Sequence, residues 1–273
     1  MQQTYIGRLA PSPTGLLHLG HAATFWQAFT RAREHHGTLL LRNEDLDPHR
    51  SRPEYAAAML EDLTWLGIRW TPPIFKQSER LPLYRRSLDQ LLITGHIYPC
   101  HCSRKDLAAM MHAPHEDADD EPIYPGTCRT KLQPNQPFQP NTNYRFRTPD
   151  NETITFEDRN LGPQSFTTGQ DFGDFLIWRK DGVPSYQLAC VVDDAAMNIT
   201  EVVRGRDLLK STARQILLQR ALQLNTPTYF HTPLMLDTQG HRLAKRHDAL
   251  SLRTLRESGV TPQQIVDRIS QPL

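Results

Sequence analysis

From Tyr5 onward the chain switches between short apolar runs and stretches in which apolar residues recur at helical spacing. Tyr5 to Ala10 reads as a strand, Leu19 to about Glu34 as a helix, and the run TLLLR at Thr38 to Arg42 as a buried strand. Ser51 and Pro53 give a helix start, apolar Ala56, Met59, Leu60, Leu63 and Leu66 form its inner face, and Gly67 stops it. Another helix is expected over Arg80 to Gly95. Short β-like runs follow at Tyr144 to Thr148, Thr153 to Asp158 and Phe175 to Arg179. Ile199 to Val203 reads as a returning core strand. Leu208 to Leu224 reads as an amphipathic helix presenting Leu208, Ala213, Ile216, Leu217, Ala221 and Leu224, and two weak helical segments close the chain, the second starting at Thr261 and Pro262. Alternation of this kind predicts an α/β fold around a parallel sheet.

Between Tyr98 and about Pro140 the pattern breaks into cysteines, prolines and an acidic tract (Glu116, Asp117, Asp119, Asp120, Glu121), which marks an insertion. Three of the four cysteines, Cys100, Cys102 and Cys128, fall within it, a clustering that favours metal over disulfide. Cys-x-Cys followed by Tyr124-x3-Cys128 offers three thiolates and a phenol to tetrahedral zinc, with His101 and His115 as rivals for the fourth place. With 273 residues the chain is long enough for one catalytic domain carrying such an elaboration. Net charge is only +1, so any RNA contact must rest on a local patch. The N-terminus shows no export signal and no apolar run reaches membrane-spanning length, so a cytoplasmic protein without membrane contact is expected.

Chemistry is concentrated in residues 8–21, RLAPSPTGLLHLGH, placed between the first strand and the first helix. Open parallel sheets bind ligands at that edge, and the helix N-terminus offers N–H groups and a positive dipole end to phosphate. His18 and His21, three apart, share a helical face and can donate to a triphosphate under attack. Far downstream, RLAKR at residues 242–246 follows a turn-like Asp237-Thr238-Gln239-Gly240, and Lys245 puts a cation on a loop. Arg8, which opens residues 8–21, is a candidate guanidinium fork for a carboxylate, and Glu44 sits at the end of the second strand, where it could hold an ammonium.

PSPTGLLHLGH resembles the HIGH signature of class I aminoacyl-tRNA synthetases in its glutamyl and glutaminyl form, and RLAKR resembles a degenerate KMSKS motif, departing from it at Arg242, Ala244 and Arg246. The resemblance implies a ligase with a Rossmann-like nucleotide-binding domain, ATP with Mg²⁺ at His18, Gly20, His21 and Lys245, and glutamate at Arg8, Leu9, Ala10, Pro11, Ser12, Glu44, Tyr186 and Arg204. The Cys100, Cys102, Tyr124 and Cys128 set is similar to the single structural zinc site of one branch, the glutamyl-queuosine tRNA(Asp) synthetases. That branch implies L-glutamate, ATP and the anticodon loop of queuosine-containing tRNA(Asp) as partners of a monomer. Only 27 residues follow RLAKR, so no anticodon-binding domain is expected. The implied organisation is a first catalytic half over 1–98, a zinc-bearing subdomain resembling an acceptor-end-binding insertion over 99–184, a second half over 185–226, and the KMSKS-like loop with a small helical part over 227–273.

Overall fold

The computed structural model describes residues 4–102, 123–131, 137–235 and 251–270. Its first unit is strand β1 (Ile6–Leu9), helix α1 (Leu19–Glu34), strand β2 (Thr38–Asn43), helix α2 (Pro53–Trp65) and strand β3 (Thr71–Lys76). β1, β2 and β3 are parallel in the order 1-2-3, with Ile6 opposite Thr38 and Leu9 opposite Leu41. β2 is apolar except at its ends because both of its faces are covered. Helix α3 (Leu81–Ile93) and strand β4 (Ile97–Cys100) follow.

β4 pairs antiparallel with β5 (Asn143–Phe146), which pairs antiparallel with β8 (Phe175–Trp178). Between them β6 (Thr153–Asp158) and β7 (Gly162–Thr167) form a hairpin. Helix α4 (Tyr186–Ala196), strand β9 (Glu201–Gly205), helix α5 (Leu209–Leu222) and strand β10 (Thr228–Thr232) complete the core, and α6 (Leu252–Glu257) and α7 (Pro262–Ile269) end the described chain. β10 runs parallel to β9 and also meets β6 at Tyr229 and Asp158, so the hairpin extends that sheet.

β9 is laid beside β1. Thr200 N donates to Ile6 O and Ile6 N to the Thr200 hydroxyl, both at 2.9 Å. The parallel strands therefore succeed one another as β3, β2, β1, β9, β10, with the chain leaving the sheet after β3 and returning at β9. Their carboxyl ends, carrying Leu9 to Ser12, Glu44 and Arg204, open on one edge, where such sheets take ligands.

One apolar core joins α3, α4 and α5 to the antiparallel strands through Tyr84, Leu88, Phe175, Ile177, Leu188, Ala213 and Leu218. Another packs α1, α2, α6 and α7 on β1 and β2 through Leu9, Leu19, Phe25, Leu41, Leu63, Leu252 and Ile265. A fully buried Leu or Phe contributes roughly 1.5–3 kcal/mol, which gives the site edge a rigid floor.

Candidate active site

His18 is the N-cap of α1, and its ring does two things there. Its Nδ1 accepts from Gly20 N at 3.1 Å, while its own backbone N–H donates to His21 Nδ1 at 3.3 Å. Both imidazoles are therefore acceptors at Nδ1, which puts the proton of each neutral ring on Nε2. The rings stack with centroids 3.7 Å apart. Two N–H donors at a helix N-terminus form an anion site. Leu252 N donates to Leu17 O at 2.7 Å and Ser251 bridges to His18, so the residue following the segment 236–250 is pinned to the histidines. RLAKR, with Lys245, lies outside the described residues, as does His115.

The loop after β1 is tied to the end of β2 by Glu44 N donating to Pro11 O at 3.0 Å. Leu9 and Pro11 are buried, Ala10 is half-buried and Ser12 is exposed. Arg8 points into the protein: Nη1 donates to Val203 O at 2.9 Å and Nε stands 3.4 Å from Asp194 Oδ1. Among the described residues, that is the only hydrogen bond its guanidinium makes, so the outer fork keeps donors for a carboxylate.

Arg42, on β2, is fully buried and surrounded by acids. Its Nη1 lies 2.6 Å from Asp194, its Nη2 3.1 Å from Glu44, and its Nε 3.7 Å from Asp193. Burial opposes the Arg42 charge, but Asp194 and the other acids outweigh it and raise its pKa. Burial pushes the Glu44 carboxyl up, and Arg42 and Arg8 pull against it. Asp193 also accepts from Arg80 at 2.6 Å and from Gln77 and Tyr84 at 2.8 Å, welding α3 to α4.

Arg204, near the end of β9, is also buried but meets only neutral acceptors among the described residues. Its Nε donates to His231 Nε2 at 3.1 Å, Nη1 to Gln215 at 2.8 Å and to the Tyr186 hydroxyl at 3.3 Å, and Nη2 to Thr212 at 2.6 Å. His231, from β10, faces Asp158 Oδ2 through Nδ1 at 2.6 Å. Burial, joined by the Arg204 charge, pushes the His231 pKa down to about 4, so it is neutral. Burial, joined by Cys190 and Glu44, pushes the Tyr186 phenol up while Arg204 and Arg8 oppose the rise, so the phenol neighbours each of the other three expected residues.

The expected residues Arg8, Glu44, Tyr186 and Arg204 are thus brought together. The expectation did not include Arg42, Asp193, Asp194, Asp158 or His231. A charge inside the apolar run TLLLRN and an acid pair inside LACVVDDAA were the available signals, since buried charges must pair.

At the end of β4 the thiols of Cys100, Cys102 and Cys128 lie within 4.8 Å of one another. The Tyr124 hydroxyl stands 3.6 Å from Cys100 Sγ and 3.4 Å from Cys102 Sγ. Burial raises the Cys128 thiol, but hydrogen bonds from Tyr124 and the His101 backbone outweigh it and bring it to about 7. Three sulfurs and one oxygen converging from two chain segments fit a tetrahedral metal. His101 is exposed and is not part of this cluster.

Comparison with known proteins agrees with this geometry. The profile of tRNA synthetases class I (E and Q), catalytic domain, matches residues 6–271. A glutamyl-Q tRNA(Asp) synthetase of Symbiobacterium thermophilum is 46% identical over 97% of this chain and 85% of its own length. A glutamate–tRNA ligase of Aquifex aeolicus is 42% identical over 94% of this chain but 55% of its own length. Among solved structures, a glutamate tRNA ligase of Elizabethkingia meningosepticum in complex with its amino acid superimposes with TM-score 0.76 at 29% identity, covering 90% of this chain and 53% of that one. No described helix is long and apolar enough to cross a membrane. The chain belongs to the class I tRNA synthetases of the E and Q type, a family of ligases, with glutamyl-Q tRNA(Asp) synthetases among its relatives.

Proposed function

We propose that the chain activates L-glutamate with ATP and transfers it to the queuosine base at the wobble position of tRNA(Asp). The observation that carries the first half is that Arg8, which keeps an unused guanidinium fork, and Arg204, a buried cation that meets only neutral groups among the described residues, both neighbour Tyr186 together with Glu44. A buried cation without a counter-ion calls for an anionic ligand. Arg8 takes the side-chain carboxylate, Glu44 the ammonium, and Arg204 with Tyr186 fixes the rest of the amino acid.

The α-carboxylate then attacks the α-phosphorus of ATP in line, forming the mixed anhydride as the bond to pyrophosphate breaks. Charge growing on the phosphates is met by the Nε2–H groups of His18 and His21, the N-terminus of α1 with Gly20, and Lys245, alongside the Mg²⁺ that accompanies ATP. This half-reaction needs no tRNA. A hydroxyl of the cyclopentenediol next attacks the activated carbonyl carbon; AMP leaves and an ester forms. The relatives named glutamyl-Q tRNA(Asp) synthetase support this acceptor. Cys100, Cys102, Cys128 and Tyr124 would hold one zinc, which would supply no chemistry to the reaction but would tie together the two chain segments at the end of β4.

The test is transfer of labelled glutamate, with ATP, to tRNA from cells able or unable to make queuosine. Label confined to queuosine-containing tRNA(Asp) is the expected result. Label on tRNA(Glu) from both pools would favour the activity in the name of the Aquifex relative.

A further inference from the structure

Three of the groups that hold Arg204 are ordinary neutral acceptors, but the fourth is part of a longer chain. Asp158 ends β6, His231 lies in β10 and Arg204 is next to last in β9, so three strands converge on one line of hydrogen bonds. Asp158 and His231 are both about completely buried, at 1% and 0% exposure. Direction along the line is fixed by chemistry. A guanidinium can only donate, so His231 Nε2 must accept from Arg204 Nε. The imidazole proton then resides on Nδ1 and is donated to Asp158 Oδ2 at 2.6 Å. Thr212, whose hydroxyl is 3.2 Å from the same Nε2, accepts from Arg204 Nη2 and braces the other edge of the guanidinium.

Asp158 is itself immobile. Its Oδ1 accepts from Asn160 N at 3.0 Å and Leu161 N at 2.9 Å, the turn of the β6–β7 hairpin, and Oδ2 also receives His231 N at 3.1 Å. With Nε, both Nη1 hydrogens and one Nη2 hydrogen of Arg204 engaged, a single Nη2 N–H is left among the described residues. No carboxylate ion-pairs with this guanidinium among them, although Arg8 and Arg42 each meet at least one.

We propose that Asp158 and His231 are positioning residues that lock the tautomer and plane of a hydrogen-bond chain to Arg204, aiming its last N–H and its uncompensated charge at the bound amino acid. The inference rests on the reading of this pocket as the glutamate site. A neutral histidine serves here where a carboxylate would not: it orients the arginine without quenching the charge that recognises the ligand. Asp158 keeps its own charge one residue further back.

Asp158→Asn tests the chain because it alters a tautomer and not a shape. Asparagine can keep Oδ1 on the hairpin turn, but its amide then faces His231 Nδ1 as a donor. The histidine must carry its proton on Nε2, which confronts Arg204 Nε with a second donor. Glutamate-dependent pyrophosphate exchange is expected to show a glutamate KM raised about 30-fold, with ATP KM and kcat within about twofold. His231→Phe should behave likewise, whereas His231→Gln, which restores an acceptor, should stay within about fivefold of the native KM. These two variants decide the matter if Asp158→Asn does not fold. Nitrogen NMR supplies a readout independent of the ligand: native protein should show His231 protonated on Nδ1 and a protected Arg204 Nε–H, both lost in Asp158→Asn. An unchanged glutamate KM, parallel losses in glutamate KM, ATP KM and kcat across all variants, or an Nε2-protonated native His231 would overturn the proposal. If native enzyme shows no glutamate dependence while the NMR pattern holds, the positioning stands and the glutamate reading falls.

Discussion

Arg42 and Arg204 are both buried guanidinium groups near the carboxyl ends of the sheet, yet their surroundings are opposite in kind. Arg42 is enclosed by Asp194, Glu44 and Asp193, while Arg204 rests on a phenol, an amide, a hydroxyl and a neutral imidazole. A guanidinium closed in by acids, as that of Arg42 is, has no N–H left to offer a ligand and serves to join β2 to α4. An open one is unsatisfied until an anion arrives, which is the condition for recognition. Arg8 stands between the two, leaning on Asp194 with Nε while its outer fork stays available.

The same substitution should therefore have different effects at the two kinds of site. Arg42→Lys keeps the charge but cannot span three carboxylates, leaving buried acids underpaired; a loss of about 3–5 kcal/mol is expected. Urea unfolding would measure it, and a loss under about 1 kcal/mol would mean the cluster is not closed in the way described. Arg8→Lys should instead leave stability within about 1 kcal/mol and raise the glutamate KM about 100-fold, equivalent to about 2.7 kcal/mol, because an ammonium cannot form a two-point fork. A stability loss like that of Arg42→Lys, with unchanged KM, would reassign Arg8 to the structural cluster.

How much of this could be read in advance follows the same division. The HIGH-like string placed its own histidines on the first turn of α1, since capping is local chemistry between residues three apart. Helix Leu19–Glu34 and strand Thr153–Asp158 were legible from periodicity and fall where expected. Helix α4 was not, because Leu188 to Asp194 is buried without a break and reads as a short continuous apolar run ending in two acids, which periodicity alone does not assign to a helix. Strands β3 and β10 were also passed over: TPPIFK opens with prolines and lies on an edge, and TYFHT mixes polar and apolar residues evenly. The Asp158, His231 and Arg204 chain joins residues up to 73 positions apart, and no local spacing encodes it.

The cysteine cluster offers a third way of meeting burial, in which donors wait for a cation. Cys128→Ser should lower zinc affinity by roughly 10–100-fold, read as metal content after dialysis against a mild chelator. Full metal retention would remove Cys128 from the ligand set. Activation of glutamate should change far less than transfer to tRNA, since the cluster sits at the end of β4, in a different sheet from the strand β1 that carries Arg8.

Asp62 on α2 completes the contrast as a buried carboxyl without a hydrogen-bond partner among the described residues. It has no exposed surface, and neither carboxylate oxygen makes a hydrogen bond to any described residue. Burial pushes its pKa up to about 6, with Arg253 and Arg256 pulling down. An acid whose folded pKa exceeds its unfolded value of 3.8 binds its proton more tightly in the folded state, so stability is greatest below about pH 4 for this group and declines as pH rises through about 6. Asp62→Asn should abolish that decline. Its gain at pH 7.5 is smaller than the pKa shift alone suggests, because the amide remains a buried polar group without a partner; about 1 kcal/mol is expected. Unfolding midpoints of both proteins from pH 4 to 8 would show curves that diverge as pH rises through 6, and parallel curves would mean that Asp62 finds a counter-charge in the folded protein.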